Sequence, residues 1–170
     1  MITETSRMPS GDVIESVELE PETFVLRKHA TMQGAMRTVV NHYRDGKVLV
    51  AATVGAKTTQ LEMQLNPLWP TGAGLPVAIA ALPLAENYTT AFRVLEIGGL
   101  KPAATQATVT AIEEVTVPAG TFKAFKVEIR ALEGTGGDQI AWIAVEGRRL
   151  VKSATAIPGA NARTITELIK

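Results

Sequence analysis

From Phe125 to Arg130 the sequence alternates without a break. Phe125, Val127 and Ile129 fall on one side, and Lys126, Glu128 and Arg130 on the other. A period of two over that length specifies a β-strand with one face buried and one face wet. Runs of the same character recur along the chain, separated by Gly, Pro or Asp. Valine, isoleucine and threonine make up 47 of the 170 residues, and such side chains lose rotamer freedom in helices but pack well on pleated sheets. Further strands are expected at Val13–Glu20, Phe24–Met32, Lys57–Met63, Tyr88–Ile97 and Thr164–Ile169. The expected fold is all-β: a highly curved antiparallel sheet, an open or half β-barrel of roughly ten strands, since a sheet that wide curls. At most one short helix is expected, over the alanine-rich Val77–Leu82. Residues 1–11 read as a polar tail and residues 12–170 as one domain, the usual outcome for this length.

Three turns organise the strands. Asp45-Gly46 supplies the two positive φ angles of a type I′ turn, so Met36–Tyr43 should pair with Lys47–Val54, with Tyr43 facing Val48 and His42 facing Leu49. Val117-Pro118-Ala119-Gly120-Thr121 reads as a bulged three-residue loop, proline presetting the first corner and glycine the left-handed one. A third hairpin turns at Glu146-Gly147 and places Trp142 opposite Val151.

Charge and cysteine content exclude several classes of function. Seventeen basic residues balance seventeen acidic ones, which argues against a nucleic-acid partner, because phosphate binding needs an excess of Lys and Arg. The chain has no cysteine, so disulfides, thiolate metal sites and a cysteine nucleophile are absent. The longest apolar stretch, Leu75–Ala85, is cut by Pro76 and Pro83 and is far too short to span a membrane. Met1–Gly11 has no apolar run and does not read as a signal peptide, which fits a cytosolic chain, a mature form without its leader, or an excised domain.

No catalytic constellation emerges. His29 and His42 are separated on different strands with no carboxylate cluster, so no metal and no cofactor is expected. None of the four serines sits in a G-x-S-x-G elbow. Gly134-Thr135-Gly136-Gly137-Asp138 joins two strands and lacks the helix a phosphate cradle requires. Glu113 is the more pointed candidate. In the three-residue register it faces Phe125 on the apolar side, where an unpaired carboxylate is costly and suits a ligand anchor or general acid. A one-residue slip would instead put it in solvent. Arg93 could reach into the same pocket and pair with Glu113, or snorkel at the surface. Trp69, between Pro67 and Pro70, covers either the open end of the core or a ligand. Tyr88 completes the candidate lining.

The stretch Glu114-Val115-Thr116-Val117-Pro118-Ala119-Gly120-Thr121-Phe122, followed by Phe125-Lys126-Val127, Trp142 and Arg149-Leu150-Val151-Lys152, resembles a family of exported bacterial domains of unknown function. Ala81-Leu82-Pro83-Leu84 resembles it as well, and the likeness covers residues 75–155 best. The resemblance implies a half-barrel similar to the lipoprotein-carrier proteins of the bacterial envelope, an exported or periplasmic setting, and a concave face that takes acyl chains under a lid for which Leu75–Ala85 is the candidate. It carries over no catalytic residue.

The reading that follows is a binding domain, not an enzyme, holding an apolar or amphipathic small molecule, such as a lipid, by Glu113, Arg93, Trp69, Tyr88 and Phe125. Two alternatives stay open: an interaction or accessory domain of a larger envelope protein with a filled core, and a small-molecule enzyme using a pocket carboxylate. A homodimer or a larger host protein remains open as partner.

Overall fold

The computed structural model describes residues 1–6, 11–42, 45–96, 101–133, 138–156 and 162–170. Within them the fold is all-β, with two six-stranded antiparallel sheets, one short helix and no closed barrel. The chain divides into two compact units, Met1–Leu75 and Pro76–Lys170.

The first unit is a meander of β1 (Ile2–Ser6), β2 (Val13–Leu19), β3 (Leu26–Gln33), β4 (Met36–His42), β5 (Lys47–Val54) and β6 (Lys57–Gln64), each strand pairing with the next. β1 lies in the stretch read as a polar tail. Its backbone pairs with β2 from Ile2↔Val17 to Ser6↔Val13, a role that demands little of its side chains. Along the cross-strand row Val17, His29, Val40 and Val50, all four side chains are buried. The buried His29 keeps its place by pairing its Nε2 with Glu15 Oε1 at 2.7 Å. The same oxygen accepts the Ala73 N–H at 3.1 Å, tying the loop before the helix to β2.

The helix α1 (Gly74–Ala80) begins earlier than the expected Val77–Leu82. Pro76 is tolerated in a first helical turn, where its missing N–H has no partner to lose. Tighter turns, Ala81 N–H to Ala78 O and Leu82 N–H to Ile79 O, close the helix before Pro83. Among the described residues no helix is long and apolar enough to cross a membrane.

The second unit repeats the meander with β7 (Thr89–Glu96), β8 (Lys101–Val117), β9 (Gly120–Ala131), β10 (Gln139–Ala144), β11 (Leu150–Ala156) and β12 (Arg163–Glu167). The long β8–β9 ladder contains a bulge at Thr110, whose hydroxyl donates to Lys126 O at 3.4 Å. Before the bulge, Ala107 and Val109 share a face with Ile129 and Val127. Beyond it, Val115 opposes Phe122 and Glu113 opposes Ala124. Side chains alternate along β9, so the odd residues of β8 change face at Thr110.

Each of the three expected hairpins exists; the first two are one residue out of the expected register, and the third keeps it beside the turn but slips by one at Trp142. At Asp45-Gly46, His42 opposes Val48 and Val40 opposes Val50. Gly46 does take a positive φ of 83°, but the turn folds against the end of β6, Leu65 N–H donating to Gly46 O at 2.8 Å. Tyr43 and Arg44 lie outside the described residues, as do Ile97 and the glycines of the Gly134–Gly137 loop. At the proline turn Val117 opposes Gly120, leaving a two-residue loop of Pro118 and Ala119. The Ala119 N–H is taken by Leu168 O at 3.1 Å, and Gly120 closes the turn at φ +136°. Trp142 opposes Lys152, not Val151; a bulge follows, and Ile143 opposes Leu150. The pairing next to the turn is the expected one, so the offset at Trp142 comes from the bulge and not from the loop, in which Gly147 and Arg148 both adopt positive φ.

Candidate functional site

Residues of the proline turn, the tryptophan strand and the Arg-x-Val-Lys strand converge at one end of the second sheet. Val115 and Val117 of β8, Ala124 of β9, Ala144 of β10 and Val151 of β11 form a buried cluster. Phe122, Trp142 and Leu168 pack against it while staying partly exposed. They meet because β8 to β11 are neighbours in the meander and the Thr110 bulge turns the last odd residues of β8 to this side. The floor is small, two alanines among three valines, and the walls are aromatic. A cavity of about 260 Å3 opens beside it, lined by Thr121, Phe122, Lys123, Ala144, Val145 and Glu146.

Polar groups rim this apolar face. The Trp142 indole N–H donates to Glu113 Oε1 at 2.7 Å. The Arg149 guanidinium lies over the Phe122 ring at 4.8 Å, and Lys152 Nζ is 5.9 Å from the centre of the Trp142 ring. Cations over aromatic faces are drawn by the ring quadrupole. Lys152 also pairs with Glu167 Oε1 at 2.8 Å. One row across the sheet thus reads Lys126, Trp142, Lys152, Glu167. Within it the Lys126 ammonium forms no ion pair or hydrogen bond among the described residues. The arrangement can take an apolar body against Phe122 and Trp142 and offer a positive charge to a polar end.

The structure scatters the residues nominated from sequence. Glu113 does lie on an apolar face, but opposite Ala124 and in the grip of Trp142. Phe125 opposes Ile112 and is buried under the Arg148 guanidinium, 4.7 Å away, which also donates to Leu84 O at 3.0 Å. Arg93 is not beside Glu113: its side chain is 61% exposed and its nearest carboxylate is Glu133, at 4.0 Å. Tyr88 leads into β7, half-buried, its carbonyl accepting the Val109 N–H at 2.8 Å. Trp69 belongs to the first unit, half-buried after Leu68, whose carbonyl accepts the Leu26 N–H at 3.0 Å. His29 and His42 stand on neighbouring strands, bonded to Glu15 and to the Asn66 carbonyl. No cluster of three metal-ligating side chains occurs among the described residues. Phe122, Trp142, Lys126, Arg149 and Lys152 were missed as site residues, although every one of them stands in the quoted motifs. The signal was their placement on consecutive strands.

A family model described as a protein of unknown function, DUF3108, matches residues 5–163. The chain belongs to the DUF3108 family. The matched span runs from the end of β1 into β12, so it reaches into both units of this DUF3108 chain. It agrees with the resemblance at the level of a family of domains of unknown function. No curated protein and no solved structure matches the chain.

Proposed function

We propose that this DUF3108 chain binds an apolar or amphipathic small molecule, without transforming it, on the face formed by Phe122 and Trp142. The observation that carries the reading is the pair of partly exposed aromatics over an alanine and valine floor, with lysine and arginine at its rim. Exposed apolar surface rimmed by polar groups marks a binding site more often than a structural accident. Glu113 acts here by holding the Trp142 ring in place, and Lys126 offers its charge to the polar end of the ligand. The proposed setting is exported, with the ligand carried as lipoprotein carriers of the bacterial envelope carry acyl chains.

A second reading, an interaction domain whose interior is filled by its own side chains, is favoured by cavity size. The described cavities of about 260, 200 and 130 Å3 all fall below the roughly 300 Å3 floor of typical small-molecule sites.

Oleate titrated into the Trp69→Phe variant separates the two. A saturable blue shift of Trp142 emission, abolished by Phe122→Asp, supports the ligand site. Emission that stays constant, with no added mass in native mass spectrometry, overturns it and leaves the filled-interior reading.

A further inference from the structure

In the first unit the β3–β4 and β5–β6 hairpins end side by side, joined by a hydrogen bond from Gly55 N–H to Ala35 O at 3.2 Å. Gly34 and Gly55 turn these tips at φ +55° and +59°, with open space around both. Apolar side chains surround the tips. Met36 (55% exposed) opposes Val54 (62%) on one face, while Met32 (40%) neighbours Ile14 (37%) on the other. Two cations stand directly behind them, Lys57 opposite Val54 and Arg37 opposite Met32. Neither forms an ion pair or hydrogen bond among the described residues. From Thr31 to Leu61 the only acidic residue is Asp45, at the far end of these hairpins; the nearest carboxylate by strand order is Asp12, which precedes β2.

We propose that these twin hairpin tips dock on an anionic lipid surface. Four large apolar side chains stand exposed to water at this end of the sheet, which is unfavourable unless a partner covers them. A bilayer interface accepts a protruding apolar tip at shallow depth without any fitted groove. The flanking Lys57 and Arg37 then lie at headgroup level, where a negative surface attracts each of them. The unbalanced positive charge of the tip selects anionic lipid over a neutral surface. This contact is peripheral and needs no spanning segment.

Co-sedimentation of the full chain with vesicles tests the proposal. Vesicles of phosphatidylcholine with one quarter phosphatidylglycerol should carry the protein down at low salt, and pure phosphatidylcholine should do so at least tenfold less. Lys57→Gln and Arg37→Gln should each lower the partition about fivefold, the effect of one surface cation near an anionic leaflet. Met36→Asp with Val54→Asp should abolish it while leaving far-UV circular dichroism unchanged, since both positions are exposed. Absence of binding to the anionic vesicles overturns the proposal. So does binding that survives the tip substitutions, because the contact would then be made elsewhere.

Discussion

Glu15 shows how much one side chain can fix. Its Oε1 is held by both His29 and the Ala73 N–H, and the next residue back, Gly72, leaves no room beside it. A Cβ on Gly72 would sit 1.8 Å from that oxygen, on a backbone at φ +57°. Gly72→Ala should therefore cost about 1–3 kcal/mol in thermal or urea unfolding. Because the clash is with Glu15 itself, adding Glu15→Ala should cost less than the sum of the two single changes, a coupling that a double-mutant cycle reads directly. Trp142 makes a parallel case. Trp142→Phe keeps a ring on the cluster but leaves the Glu113 carboxylate without its donor, a loss of about 1–3 kcal/mol. Glu113→Gln in the same background should recover part of it, as an amide is less costly than a carboxylate to leave unpaired. A Trp142→Phe chain as stable as the parent would show that the indole–carboxylate bond contributes nothing.

At the level of elements, what could be read from sequence was the strands after β1, and what could not was their phase. Alternation from Phe125 to Arg130 located β9, and Asp45-Gly46, Pro118-Ala119 and Glu146-Gly147 located three turns, because local chemistry decides both. Register was a residue out at the first two turns, and at Trp142 beyond a bulge in the third hairpin, because it answers to more than the turn. Leu168 claims the Ala119 N–H, Leu65 claims the Gly46 carbonyl, and Thr110 bulges where nothing in its neighbours announces a bulge. That slip is why the sequence pattern points Glu113 at Phe125 and Arg93, whereas it stands opposite Ala124 and accepts from Trp142. The apolar cluster itself was within reach: its motif residues had been identified, but without a phase they could not be assigned to one face. Gly120→Val probes the proline turn. A Cβ there meets only Phe122, at 3.9 Å, so the whole expected loss of about 1–3 kcal/mol comes from the positive φ. An unchanged melting curve would place the turn elsewhere.

Across the whole molecule, both units are simple meanders in which every strand pairs only with its neighbours in sequence. Their free edges include the terminal strands, β1 and β12, and the two should respond differently to removal. Deleting residues 1–6 takes away the edge ladder with β2, and the first unit should keep its fold, with amide protection retained in β3 to β5. Deleting residues 163–170 removes more than a strand: Glu167 leaves Lys152, and Leu168 leaves both the apolar cluster and the Ala119 N–H. Hydrogen exchange should accordingly rise in β11 and in the proline turn, the latter far along the chain from the cut. Equal effects of the two deletions would mean that Leu168 is a bystander.

The bulge at Thr110 also limits how such a sequence can drift. It acts as a frame marker: every residue of β8 beyond it is read out on the opposite side from the same parity before it. A single-residue insertion or deletion between Val109 and Val117 would present the motif's valines to water and its threonines to the cluster. Length changes in this strand are tolerable only in pairs, or with a compensating residue at the proline turn. Chains that share this architecture should therefore keep the odd count found here, seven residues from Ala111 to Val117, between the bulge and the turn, even where little else in the strand is alike.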